Sequence, residues 1–267
     1  LLSRPNGLLA AASNNGLHEI SGGKYRDIIA RIPGINHMAL APSLQDPKRV
    51  WVGNLDSLSA IREEAPGRWV LEERVTAAPE IRSLLEAVPG ELWLGTQSHG
   101  VLRVRLNGTS LKNPKVDRYL KASGLPSDGG VSVHRAGDHI LFAAIEGVRE
   151  FDPATERFVE SKIFGIVPTG GSSEEYTVVT NRNGDLWVNF GVHPVFFARQ
   201  PDGSYKADLN RIRRIPAGRI SWMCMDDDNV LWLGGQDRIY RFDPTREQRN
   251  KVAFPAVIRR VISGEQQ

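Results

Sequence analysis

The sequence predicts an all-β chain, a β-propeller of about six four-stranded blades, and three observations carry that expectation. A short strand with tryptophan at a fixed place recurs along the chain, the recurrence interval is about 45 residues, and glycine and proline interrupt the chain before any long helix can form.

Four copies of the strand are Arg49-Val-Trp-Val-Gly53, Glu91-Leu-Trp-Leu-Gly-Thr96, Asp185-Leu-Trp-Val-Asn189 and Val230-Leu-Trp-Leu-Gly-Gly235. Two degenerate copies, His139-Ile-Leu-Phe-Ala-Ala144 and Leu8-Leu-Ala-Ala-Ala12, put leucine at the tryptophan position. The anchors Leu9, Trp51, Trp93, Leu141, Trp187 and Trp232 are then spaced by 42, 42, 48, 46 and 45 residues, which is the length of a propeller blade. A large aromatic on the second strand fills the space between wedge-shaped neighbours, so the tryptophans are assigned to the core and not to a stacking platform.

The flanks of each anchor supply the other strands. An apolar run precedes it (Ile81 to Val88, Val131 to His134, Tyr176 to Thr180, Ile220 to Met225), joined by turns such as Asn181-Arg-Asn-Gly184 and Asp226-Asp-Asp-Asn229. Asparagine and glycine suit such turns because they tolerate positive φ. A third strand follows the anchor (Gly100 to Val104, Gly147 to Phe151, Arg238 to Phe242), and a more polar fourth strand closes the unit. The blades are expected at about 1–30, 31–75, 76–118, 119–163, 164–208 and 209–250, with 251–267 a connector towards a following domain. Helix is expected at most locally, around Ile81 to Ala87. The first copy reads as lacking its inner strand. Either Val257 to Ile262 returns to supply it and closes a six-bladed ring, or the chain is part of a seven-bladed one.

Composition narrows the function classes. A hydrophobic fraction of 40% and a charged fraction of 24% belong to a globular chain with a core. The net charge of +3 is spread along the sequence, and the densest basic stretch, Arg211 to Arg219, holds four arginines alternating with apolar residues. That is a solvated strand, not the clustered charge of a nucleic-acid binder. No apolar run is long enough to span a membrane, and none forms a signal-peptide core, so this segment is expected to make no membrane contact. The single cysteine, Cys224, lies in an apolar strand and reads as a packed thiol. The chain opens on Leu1 in mid-pattern, as a piece of a longer protein would.

Leu92-Trp-Leu-Gly-Thr96 with Gly100-Val-Leu-Arg-Val104, Leu231-Trp-Leu-Gly-Gly235 with Ile239-Tyr-Arg-Phe-Asp-Pro244, and the loop Gly124-Leu125-Pro126-Ser127 together resemble the two-component regulator propeller repeat. The tail Phe254 to Val261 resembles the segment that leads such propellers into a small β-sandwich. The resemblance implies a periplasmic or extracellular sensory domain of a histidine kinase or related signalling protein. It also implies glycan fragments as ligands. A homodimer formed through the parent protein is among the expected partners, and no cofactor is expected.

In a propeller the loops between second and third strands share one face with the links between blades, around the central channel, and that face is the default binding surface. The candidate ligand-binding residues on these loops are Asn14, Asn54, Asp56, His99, Glu146, His193, Gln236 and Arg238. They are polar and mixed in charge, which suits a small polar ligand such as an oligosaccharide. No catalytic or metal set is assigned. The enzymatic alternative is a metal-assisted lyase or hydrolase built on His99, His193 and Glu146, but the other blades offer no matching carboxylates. A third reading is a protein-interaction scaffold. Asp226 to Asn229 lacks the spacing of a calcium loop and is assigned as a turn.

Overall fold

The computed structural model describes residues 2–4, 7–12, 16–21, 24–29, 37–76, 80–164, 176–190, 194–208, 211, 220–226, 228–235 and 238–246. The first sheet contains β1 (Leu2–Arg4), β2 (Gly7–Ala12), β3 (Gly16–Ser21) and β4 (Lys24–Ile29). The second contains β5 (His37–Pro42), β6 (Arg49–Asn54), β7 (Leu58–Ala65) and β8 (Arg68–Val75). The third contains β9 (Ile81–Val88), β10 (Glu91–Thr96), β11 (Val101–Asn107) and β12 (Ser110–Tyr119). The fourth contains β13 (Ser132–Ala136), β14 (His139–Ala144), β15 (Gly147–Asp152) and β16 (Arg157–Glu160). The fifth contains β17 (Tyr176–Thr180), β18 (Leu186–Phe190), β19 (Pro194–Arg199) and β20 (Tyr205–Asp208). The last contains β21 (Ile220–Met225), β22 (Leu231–Gly235) and β23 (Ile239–Phe242).

Every sheet is an antiparallel meander in sequence order, and every anchor falls on a second strand, as the repeat predicts. Three expectations are corrected. There are five four-stranded blades, not about six, because the last sheet has three strands among the described residues. The first sheet does not lack its inner strand: β1 pairs with β2 through Leu2, Ser3 and Arg4. Ile81 to Ala87 is strand throughout, since it pairs with β10 and buries Ile81, Leu84 and Leu85. The segments 251–267 and Val257 to Ile262 lie outside the described residues.

Among the described residues five separate cores lie between successive sheets, and alternation along the second strand explains them. On β10, Leu92 and Leu94 face the second blade with Trp51, Leu58 and Ile81, while Trp93 faces the fourth with Phe142 and Phe158. On β18, Leu186 and Val188 face back to Leu141, while Trp187 faces forward to Leu231 and Leu233. Trp51, Trp93 and Trp187 are buried, and Trp232 is half-buried.

Three of the anchor indoles also have their nitrogens paired. Trp51 Nε1 donates to Glu86 Oε2 at 2.9 Å, Trp93 to Glu91 Oε1 at 3.0 Å and Trp232 to Asp226 Oδ2 at 2.8 Å. Glu86 is buried on the third blade's inner strand and also accepts from Leu44 N and Gly90 N, so one carboxylate ties two blades together. Further out, Glu72 joins Arg49 and Arg62. Burial works against its charged form, but the two guanidinium groups outweigh this and hold its carboxyl below the usual range.

His134, on β13, contacts Ser132 Oγ at 2.9 Å through Nε2 and packs against the Tyr176 ring at 5.7 Å. Burial there pushes its pKa down to about 4 from 6.5. Between those two values the folded chain binds fewer protons than the unfolded one. Stability is therefore full above pH 6.5 and is lost as pH falls towards 4, by at most about 3 kcal/mol. His134→Gln is expected to flatten this part of the stability profile, measured by urea unfolding at stepped pH. An unchanged profile refutes the assignment.

Candidate functional site

Turn chemistry positions the channel-face loops. In the second blade, Asn54 N donates to Ser57 O, and its side-chain amide reaches Ser57 Oγ at 3.1 Å and Ser59 Oγ at 3.0 Å. Asn54 is completely buried, so it shapes the loop from within and presents no surface to a ligand. Asp56 is exposed, and Arg74 on the outer strand grips both its oxygens at 3.0 and 3.1 Å while also reaching Ser57 Oγ.

In the third blade, Thr96 Oγ1 donates to Gly100 O at 2.8 Å and accepts from His99 N at 2.9 Å. His99 is half-buried, with Nδ1 beside Ser98 Oγ at 2.9 Å, and Arg118 Nε donates to its carbonyl at 3.1 Å. Arg118 and Arg74 occupy equivalent positions, one opposite Leu102 and the other opposite Ser59. Sequence reading missed both arginines as loop clamps, although they lie about one repeat apart. In the fourth blade Ile145 and Glu146 form an exposed two-residue turn. In the last sheet Gly235 N donates to Arg238 O, and Arg238 is exposed. Asn14, His193 and Gln236 lie outside the described residues.

Backbone hydrogen bonds run from one loop to the next around the mouth. Glu80 N donates to Leu55 O, Gln97 N to Glu80 O at 3.1 Å, and Gly130 N to Gln97 O at 2.8 Å. The second- and third-blade loops are thus tied to the beginning of the following inner strand, which gives Asp56, His99 and their neighbours a stiff base.

Other candidates have structural roles. Asp226 Oδ1 accepts from Asp228 N and Val230 N, and Asn229 takes φ 65°, so the acidic run is a hairpin turn. Asn181 organises the equivalent turn of the fifth blade through Asn183 N and Asp185 N. Burial pushes the Cys224 thiol up, as expected for a packed cysteine. Within the basic stretch Arg211 is described, and its guanidinium lies 3.9 Å from the Phe196 ring centroid. Among the described residues no three His, Cys, Asp or Glu side chains stand together as a metal site. No described helix is long and apolar enough to cross a membrane.

These features define an all-β propeller whose second-to-third-strand loops and inner-strand starts share one polar face. More particularly, the chain carries the two-component regulator propeller repeat: the model of that family matches residues 214–237, around the Trp232 anchor. No curated protein matches the chain by sequence. The extracellular domain of a hybrid two-component system from B. thetaiotaomicron is similar in structure, with a TM-score of 0.62 at 15% identity over 92% of this chain and 33% of that one. The chain therefore spans about a third of that domain's length. The periplasmic gluconolactonase of Pseudomonas aeruginosa has a TM-score of 0.61 at 16% identity, covering 91% of this chain and 80% of that one. Virginiamycin B lyase from Staphylococcus aureus gives 0.58 at 15% identity, covering 90% and 81%.

Proposed function

We propose that the chain is a non-catalytic sensing segment of a two-component-type signalling protein, facing the periplasm or the cell exterior. It reads a polar ligand such as an oligosaccharide at the channel mouth. The observation that carries this reading is the mouth itself, where His99 and the Asp56–Arg74 pair stand on loops braced by blade-to-blade hydrogen bonds, and Glu146 and Arg238 are exposed on the equivalent loops of later sheets. The family match and the likeness to a two-component extracellular domain support it. Calorimetric titration with a panel of oligosaccharides should give saturable binding, weakened at least tenfold in His99→Ala and Arg238→Ala with unchanged melting. A panel without a binder at millimolar concentration, or variants that bind normally, argues against it.

A second reading, a metal-assisted lyase or hydrolase, is favoured by the gluconolactonase and lyase neighbours. It requires His99, Glu146 and His193 to converge on one ion. A purified chain with no bound divalent ion, and no response to a chelator in lactonase and lyase assays, counts against this reading.

A further inference from the structure

The inner strands carry a device that the repeat pattern does not reveal. At the channel mouth, β9 pairs Ser83 with Gly95 and Ile81 with Thr96, so Arg82 is an extra residue with no partner across the ladder. The same one-residue bulge recurs at Met38, between the pairs Ala39 with Gly53 and His37 with Asn54. It recurs again at Ser221, between Trp222 with Gly234 and Ile220 with Gly235. Strands β13 and β17 have no such shift. A bulge breaks the alternation that sends side chains into the cores and re-aims one residue, and bulges concentrate beside functional sites.

Arg82 and Ser221 are both exposed. Among the described residues the Arg82 side chain forms no hydrogen bond or ion pair, whereas Arg74 and Arg118 on the outer strands and Arg135, at the far end of β9, are all engaged. Two residues upstream, Glu80 holds φ 45°, a left-handed conformation that is uncommon outside glycine. Strained backbone of this kind clusters at ligand sites and is held here by hydrogen bonds on both sides of the residue, to Leu55 and Gln97. The Glu80 carboxylate pairs with neither Arg82 nor any other described cation.

We propose that Arg82 is the anion-reading group of the channel mouth and that its ligand is a polyhydroxylated carboxylate, the chemistry of a sugar acid. A guanidinium binds a carboxylate through two parallel N–H donors. Glu80 accepts only, so it repels a second anion and takes hydroxyl protons instead. One unpaired donor and one unpaired acceptor, two residues apart, select a molecule with an acid at one end and hydroxyls along its body. This deepens the sensory reading above and rests on it for the choice of face.

The test is an NMR titration of the whole 267-residue chain, following the Arg82 Nε–H resonance with sodium glucuronate, glucose and sodium sulfate at constant ionic strength. Glucuronate is expected to give a saturable shift at least tenfold tighter than glucose or sulfate. Arg82→Ala should abolish the accompanying change at the Gln97 amide, and Arg82→Lys should retain it in weakened form. No saturable shift, a drift shared with exposed Arg68, or sulfate binding as well as glucuronate overturns the proposal. If oligosaccharides bind and Arg82 does not respond to glucuronate, the anion site falls and the sensory reading stands. If glucuronate moves Arg82 but no oligosaccharide binds, the anion site stands and the glycan reading falls.

Discussion

Trp93→Ala is expected to destabilise the chain by about 4 kcal/mol, the upper range for truncating a fully packed aromatic, and to lower the melting temperature by roughly 10 °C. Trp93 is 3% exposed and sits among four rings, with centroids at 5.7 Å for Tyr119, 4.9 Å for Phe142, 5.0 Å for Phe151 and 6.1 Å for Phe158. Aromatic neighbours cannot collapse into the space left by an indole without leaving their own rotamers, so most of the cavity persists. The truncation also removes the donor to Glu91 and the face under Arg103, whose Nη2 donates to Glu91 at 2.6 Å. Trp232→Ala is the internal comparison. Its indole is half-buried, so its loss should cost less than half as much. Urea unfolding of both variants checks the difference, and equal costs contradict the assignment of Trp93 to a closed core between blades.

That contrast marks what the sequence could and could not disclose. The tryptophan period located every second strand because one bulky residue per blade is a local signal repeated at a fixed interval. The inner strand β1 escaped notice because three residues, Leu2 to Arg4, are too few to display alternation. Asn54 looked like a ligand contact because asparagine in a loop is ambiguous until its acceptors Ser57 and Ser59 are seen folded over it. Arg82 was read as one member of an apolar run. Its release from the ladder depends on how β9 meets β10, a register that no residue type announces. Asn189 stands where the other tryptophan copies carry Gly53, Gly95 and Gly234, and the reason is similar. Asn189 occupies the position of Gly95 on its own second strand, and its side chain donates to Ile220 O at 2.6 Å, replacing a close backbone approach with a hydrogen bond.

Gly95→Ala is expected to abolish stable folding, or to cost more than 4 kcal/mol in any protein recovered. A Cβ at Gly95 would lie 2.2 Å from Val131 O, 2.3 Å from Ser83 Oγ and 3.2 Å from Ser132 Cα. Two of these three atoms belong to the backbone of the next blade's inner strand or the link leading into it, so no side-chain rotation relieves the contact and the blades must separate. Gly234 provides the counterpart, because the three atoms nearest its Cβ would all belong to the indole of Trp222, with Nε1 at 1.8 Å. There the obstacle is removable. Gly234→Ala in a Trp222→Ala background should cost little beyond Trp222→Ala alone, whereas Ser83→Ala should not rescue Gly95→Ala, since Val131 O remains in place. Gly108→Ala separates packing from backbone conformation. Gly108 has φ +67° with nothing within 4 Å of its Cβ, so its substitution should cost only about 1 kcal/mol. If Gly95→Ala and Gly108→Ala prove equally mild, the second strand and the following inner strand are not packed backbone to backbone. The blade spacing that places Arg82 at the mouth would then need revision.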